Sequence, residues 1–188
     1  MELVTYVPSR AELVDLMVDA VLGSRDLPGP DDPRPADWRD QIHLYADRTR
    51  AMYRAHPWLS RVSTIRPPLG PGMFREREYV LSAMEHAGVP LERVNEAAVA
   101  VGMFVTAAAR QEGENVLLRR ASGQTNDAWW QERSRFWDDW FDVRQHPAMT
   151  RVWEAGGLGG GTEEQAEAAY AYGLRLMLDG IAGDGSVE

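Results

Sequence analysis

Apolar positions along this chain recur with helical rather than strand spacing. The longest apolar stretch lies in residues 91–112, LERVNEAAVAVGMFVTAAARQE, which carries no charge between Ala97 and Ala109. A helix that is apolar all round is buried on every side, so the pattern predicts a central core helix, with Pro90 in its first turn. The uncharged run is shorter than the about 20 residues that a membrane span requires. Before it, Ser9 and Glu12 form a capping box, and Leu13, Leu16, Met17, Ala20 and Val21 follow at helical spacing until Gly23. Residues 24–36, SRDLPGPDDPRPA, read as a linker or exposed loop. Asp37 caps a helix with apolar positions Trp38, Ile42, Tyr45, Met52 and Tyr53, stopped at His56-Pro57. A short helix is expected over 58–65 and another over 73–87, closed by Gly88.

Beyond the central helix, a break at 122–126 leads into a helix over 126–142 that carries Trp129, Trp130, Phe136, Trp137, Trp140 and Phe141. His146-Pro147 begins a short helical segment, residues 156–161 form a glycine-rich loop, and Thr162 with Gln165 makes a second capping box. The last helix is expected over 163–181, with residues 184–188 as a disordered tail. No strand pattern and no internal repeat is found, so the predicted fold class is all-α.

Length and composition narrow the function. With 188 residues the chain is long enough for one domain with a substantial core. It has no cysteine, which removes disulfides, thiolate metal sites and cysteine nucleophiles. Its net charge of −9 lacks the basic footprint of a self-sufficient nucleic-acid binder. No secretory signal or long apolar run is present, which points to a cytoplasmic protein without a membrane partner. The histidines His43, His56, His86 and His146 show no metal-ligand spacing, and the 156–161 loop is not preceded by a strand as a phosphate-binding loop is. No enzyme, cofactor or metal site is expected; His56 is read as a helix C-cap.

Several segments in order resemble the tetracycline-repressor (TetR) family of bacterial transcription regulators. Tyr6-Val7-Pro8-Ser9-Arg10-Ala11-Glu12-Leu13 resembles the end of that family's DNA-recognition helix and the start of its connecting helix. His56-Pro57-Trp58-Leu59 resembles the junction of the first two regulatory helices, and Arg66-Pro67-Pro68-Leu69-Gly70-Pro71-Gly72 the loop that follows. Residues 78–88, the long apolar helix and the Ala- and Leu-rich last helix complete the likeness.

The resemblance implies a ligand-responsive repressor and a homodimer in which two helices per subunit form a four-helix bundle. Residues 1–23 correspond to the remnant of the DNA-binding domain plus the connecting helix, and 37–183 to the regulatory domain. It implies an apolar or aromatic effector lined by Tyr45, Met52, Trp58, Met73, Phe74, Met84, Met103 and Phe104. Its implied dimer interface is Thr106, Arg110, Ala166, Ala169, Tyr170, Gly173, Leu174 and Met177. The same residues equally serve as intramolecular core, and the Trp-rich 126–142 helix is a second candidate wall. The family's helix-turn-helix reader is largely missing here; Thr5, Tyr6 and Arg10 are its remnant. Such a stub cannot supply the phosphate contacts that set even non-specific affinity, so DNA binding is expected only if upstream residues restore the reader. The alternative is a headless interaction module that pairs with a full-length regulator.

Overall fold

The computed structural model describes residues 7–184. Among them are eight α-helices and no strand: α1 Arg10–Gly23, α2 Trp38–Ala55, α3 Pro71–His86, α4 Val94–Ser122, α5 Asn126–Glu132, α6 Arg135–Trp140, α7 Pro147–Glu154 and α8 Thr162–Asp184. None of these helices is long and apolar enough to cross a membrane. The chain forms two compact units. One runs to Leu117 and resumes at Leu174; the other is Leu118–Gly173.

The first unit is built on α3, against which both α1 and α2 pack. Helix α1 starts where its cap predicts, since the Ser9 side chain accepts from the Glu12 N–H at 3.2 Å. Asp37 does the same for α2, accepting from Arg39 N at 2.7 Å. Helix α2 buries Ile42, Tyr45, Thr49, Met52 and Tyr53 on one stripe. His56 caps its C-terminus, with its N–H on the Met52 carbonyl at 2.8 Å. The expected helix over 58–65 is a shorter 3-10 turn, Pro57–Arg61. Helix α3 has no side-chain cap of its own. Its first N–H groups are satisfied from α1 instead: the Asp19 carboxylate accepts from Gly72 N at 3.1 Å and Met73 N at 2.9 Å. That approach needs glycine. A Cβ on Gly72 would overlap the Asp19 carbonyl and stand 2.7 Å from the Gly23 nitrogen.

The loop between α1 and α2 is irregular, as expected, yet pinned. Arg25 and Leu27 are buried, and Arg34 donates to Ser82 at 3.0 Å and to the Gly29 carbonyl at 2.7 Å.

Helix α4 departs from its expectation in two ways. It starts at Val94, after a turn on the Pro90 carbonyl, and continues through Gly113 to Ser122. A Cβ on Gly113 would stand 2.5 Å from the Ser60 hydroxyl, so the glycine permits close packing inside the continuing helix. Nor is the helix buried all round. Val94, Ala98, Val101, Val105, Ala109 and Gly113 make one buried stripe, whereas Met103 is 69% exposed and Val99 39%. The lack of charge made the whole circumference look like core, but a single chain covers only one face.

In the second unit the expected 126–142 helix is two short ones, α5 and α6, interrupted at Arg133–Ser134. Thr162 does not form a capping box with Gln165. Its N–H (2.8 Å) and its hydroxyl both donate to the Asp127 carboxylate, while Gln165 reaches back to the Leu158, Gly159 and Gly160 carbonyls. An ionised carboxylate is the stronger acceptor, and these bonds hold the Asp127 carboxyl below its ordinary pKa. The expected disordered tail and the positions Thr5 and Tyr6 lie outside the described residues, Asp184 being described for its backbone alone.

The α1–α3 crossing makes a direct prediction. Gly72→Ala should lower unfolding stability by about 2 kcal/mol or more through overpacking. Gly102→Ala, whose Cβ would stand 3.8 Å from the Tyr45 hydroxyl, should raise it by roughly 0.5–1 kcal/mol through helix propensity. Urea unfolding followed by circular dichroism measures both.

Candidate functional site

Each unit gathers one set of side chains that packing alone does not require. In the first unit the centre is Arg25, its side chain 1% exposed. Nη2 pairs with Glu76 Oε2 at 2.5 Å, Nη1 donates to the Thr49 hydroxyl at 2.9 Å, and Nε donates to the Leu22 carbonyl at 3.1 Å. The guanidinium lies 5.7 Å from the centroid of the Tyr45 ring. The Tyr45 hydroxyl donates to the other Glu76 oxygen at 2.9 Å, and the Thr106 side chain hydrogen-bonds to that same hydroxyl. A buried guanidinium costs several kcal/mol unless it is paired and its donors are used. Here the pairing ties the loop after α1 to α2, α3 and α4. Burial pushes the Tyr45 phenol well above its ordinary pKa, with the nearby Glu76 charge adding to the shift. The phenol is therefore a hydrogen-bond donor, not an acid, at neutral pH.

The eight sequence-predicted lining residues stand in different surroundings. Tyr45 sits in this network, and Met84 is wholly buried. Met52 and Trp58 pack with Leu59 and Ala109 against Val18 of α1, so they hold that helix down. Met73 and Phe104 are half-buried, and Phe74 is 60% exposed, like Met103 at the surface. Of the predicted interface, Thr106 joins the Tyr45 network. Arg110 closes the 3-10 turn, donating to the Ser60 and Val62 carbonyls. Leu174 is buried in its own chain; Tyr170, Gly173 and Met177 are half-buried; Ala166 and Ala169 are exposed. Arg10, the described member of the DNA-contacting remnant, is exposed.

Sequence reasoning missed Arg25, Thr49 and Glu76. Arg25 had no signal in a loop rich in Pro, Gly and Asp. Glu76 had one: it shares the helical phase of Gly72, Tyr79 and Ala83, all buried on α3, and a carboxylate on an apolar stripe calls for a buried partner.

In the second unit, Trp129, Trp130, Phe136, Trp137, Trp140 and Phe141 surround an open cavity of about 550 Å³ with Arg133, His146 and Met149. Trp129 and Trp130 meet edge to face at 5.0 Å, Trp137 and Phe141 at 5.6 Å, and Phe141 stacks on His146 at 5.2 Å. Among the described residues no cluster of three or more His, Asp or Glu is placed to hold a metal ion.

Residues 30–184 match the family described as "Tetracyclin repressor-like, C-terminal domain". The chain belongs to the tetracycline-repressor family. It is 30% identical over 181 residues to the HTH-type transcriptional repressor DrrR1 of Streptomyces coeruleorubidus, spanning 96% of this chain and 64% of that protein. An HTH-type transcriptional regulator of Saccharopolyspora erythraea is 32% identical over 100 residues, 53% of this chain and 41% of that one. The chain thus spans less than two thirds of the length of these relatives. The fold is shared with the Streptomyces coelicolor TetR-family protein ActR in its crystal structure with actinorhodin (TM-score 0.73, 24% identity, 97% of this chain and 81% of that one). ActR in complex with (S)-DNPA gives a TM-score of 0.69 at the same identity, over 96% and 79% of the two chains. This is a family of transcriptional regulators rather than enzymes.

The Arg25 network sets a second prediction. Glu76→Gln removes the charge paired with a buried guanidinium, at a position whose carboxylate is itself 25% exposed. It should cost about 2–3 kcal/mol. Tyr45→Phe should cost about 1 kcal/mol. A phenol whose pKa is raised on folding contributes stability that is complete below its unfolded pKa, about 10, and lost as pH rises beyond it. Tyr45→Phe should therefore reduce the alkaline loss of stability. Tyr53 and Tyr79, also raised by burial, leave a residual slope. Urea titrations between pH 7 and ~11 test all three statements.

Proposed function

We propose that this chain is the effector-sensing and dimerisation part of a ligand-responsive transcriptional repressor. The match over residues 30–184 to the family's C-terminal domain carries the reading. In it, residues 37–183 form the regulatory domain and α1 is the connecting helix. The effector is an apolar or aromatic small molecule; a neighbour of the same fold was crystallised with actinorhodin. An effector acts by binding one arrangement of the body better than another, a population shift that needs only differential affinity. The Arg25–Glu76–Tyr45 network is where such a preference would reach α1, because its members come from α2, α3 and the loop that ends α1. Repression through DNA, in the cytoplasm, is the output that the HTH-type descriptions of the relatives support.

The dimer is proposed to form through α4 and α8. Helix α4 leaves Val99 and Met103 uncovered, and α8 leaves Leu176 47% exposed beside the buried Leu174 and Leu178. Apolar faces of this kind on a regulator mark partner contacts, and a twofold dimer would cover each with its own counterpart.

Sedimentation equilibrium tests the dimer. The wild-type chain should run at twice 21.1 kDa. Met103→Glu alters a side chain that supports no core, so it should yield a folded monomer with an unchanged circular dichroism spectrum. A wild-type chain that stays monomeric at ~50 μM, well above the Kd of a stable dimer, would contradict the proposal.

A further inference from the structure

The aromatic cleft of the second unit is costly as it stands. Each Trp or Phe side chain buried fully is worth roughly 1.5–3 kcal/mol, yet Trp140 is 77% exposed and Phe136 61%. The rings are nevertheless ordered about one hollow of about 550 Å³, within the about 300–1,000 Å³ of small-molecule sites. An edge-to-face pair covers only one face of one of its two rings, so part of the flat apolar surface stays available.

Two polar groups join the walls. Arg133 sits 4.0 Å from the Trp129 ring centroid and donates to the Trp129 carbonyl at 3.2 Å. Its ion pair with Glu132 is long, 3.7 Å, and both side chains are solvent-exposed, so it competes weakly for the guanidinium. His146 Nδ1 lies 2.9 Å from the Asp142 carbonyl oxygen. A carbonyl only accepts, so Nδ1 carries the hydrogen and Nε2 of the neutral ring is an acceptor. The cleft thus offers one cationic donor and an imidazole Nε2 that accepts when the ring is unprotonated. No carboxylate is among its lining residues, in a chain with 29 acidic and 20 basic side chains.

We propose that this cleft is a binding site for a planar, multi-ring aromatic small molecule that carries a phenolic or carboxylate oxygen. The rings lie against the Trp and Phe walls, Arg133 takes the oxygen, and His146 Nε2 accepts from a phenolic hydroxyl. The inference stands on the lining alone, so it holds or fails independently of the regulatory reading.

Anthraquinone-2-carboxylate titrated into the full chain by calorimetry is the test. One equivalent should bind per chain. Trp140→Ala, which removes an exposed ring and leaves the thermal melt unchanged, should weaken binding about tenfold. Arg133→Gln should weaken it about fivefold and leave the affinity of the neutral 2-(hydroxymethyl)anthraquinone unchanged. No saturable binding up to ~1 mM would overturn the proposal. So would binding that both variants retain, which would place the probe elsewhere. A sedimentation mass that falls in Trp140→Ala with probe affinity unchanged would assign the cleft to a contact between copies, and would also overturn it.

Discussion

The Asp19 carboxylate, reaching from α1 to the first backbone N–H groups of α3, is the contact on which the first unit depends. Gly70-Pro71-Gly72 begins α3 without a side-chain cap. A helix start leaves N–H groups unsatisfied and carries partial positive charge; a carboxylate from a neighbouring helix answers both. It gets close enough only because residue 72 has no side chain. One turn further along α3, Glu76 takes Arg25 from the loop just past the end of α1. Two contacts of opposite polarity, Asp19 on the start of α3 and Arg25 on its second turn, therefore set the position of α1 along α3.

Two-point attachment has a mechanical consequence. Helix α1 cannot slide or tilt on α3 by a fraction of a turn without leaving a carboxylate or a guanidinium unpaired, and packed interfaces of this kind switch between discrete arrangements rather than deform smoothly. Tyr45 and Thr106 extend the Arg25–Glu76 pair to α2 and α4. Met52, Trp58 and Ala109 add an apolar seat under Val18 of the same helix. The unit thus joins a rigid crossing to an interior whose polar groups have little slack. In a ligand-responsive regulator that combination lets a change among α2–α4 appear at α1.

Much of the architecture was legible because it is local. The Ser9 and Asp37 caps, the His56-Pro57 stop and the closing Gly88, whose φ is +80°, each follow from short-range backbone chemistry. What failed was non-local. Uncharged composition marked 97–109 as core throughout, but whether Met103 is covered depends on neighbours that a helical pattern does not name. The role of Gly113 was not legible because its reason, the Ser60 hydroxyl, lies far off in sequence. Thr162 had a local partner in Gln165, yet the distant Asp127 is the better acceptor. The network shows the same division. Tyr45 was visible as an aromatic on a buried stripe, whereas Arg25 acquired its role only when the fold brought Glu76 to it.

Amide hydrogen exchange at Gly72 and Met73 probes the central claim most directly, because those N–H groups owe their protection to a side chain of another helix. The account predicts that both exchange together with the α2 core amides and that Asp19→Asn speeds them far more than it speeds α2. If α1 and these two amides instead exchange on their own in the wild-type chain, orders of magnitude faster than α2, then α1 is not held by α3. The coupling of the interior to that helix would then be contradicted.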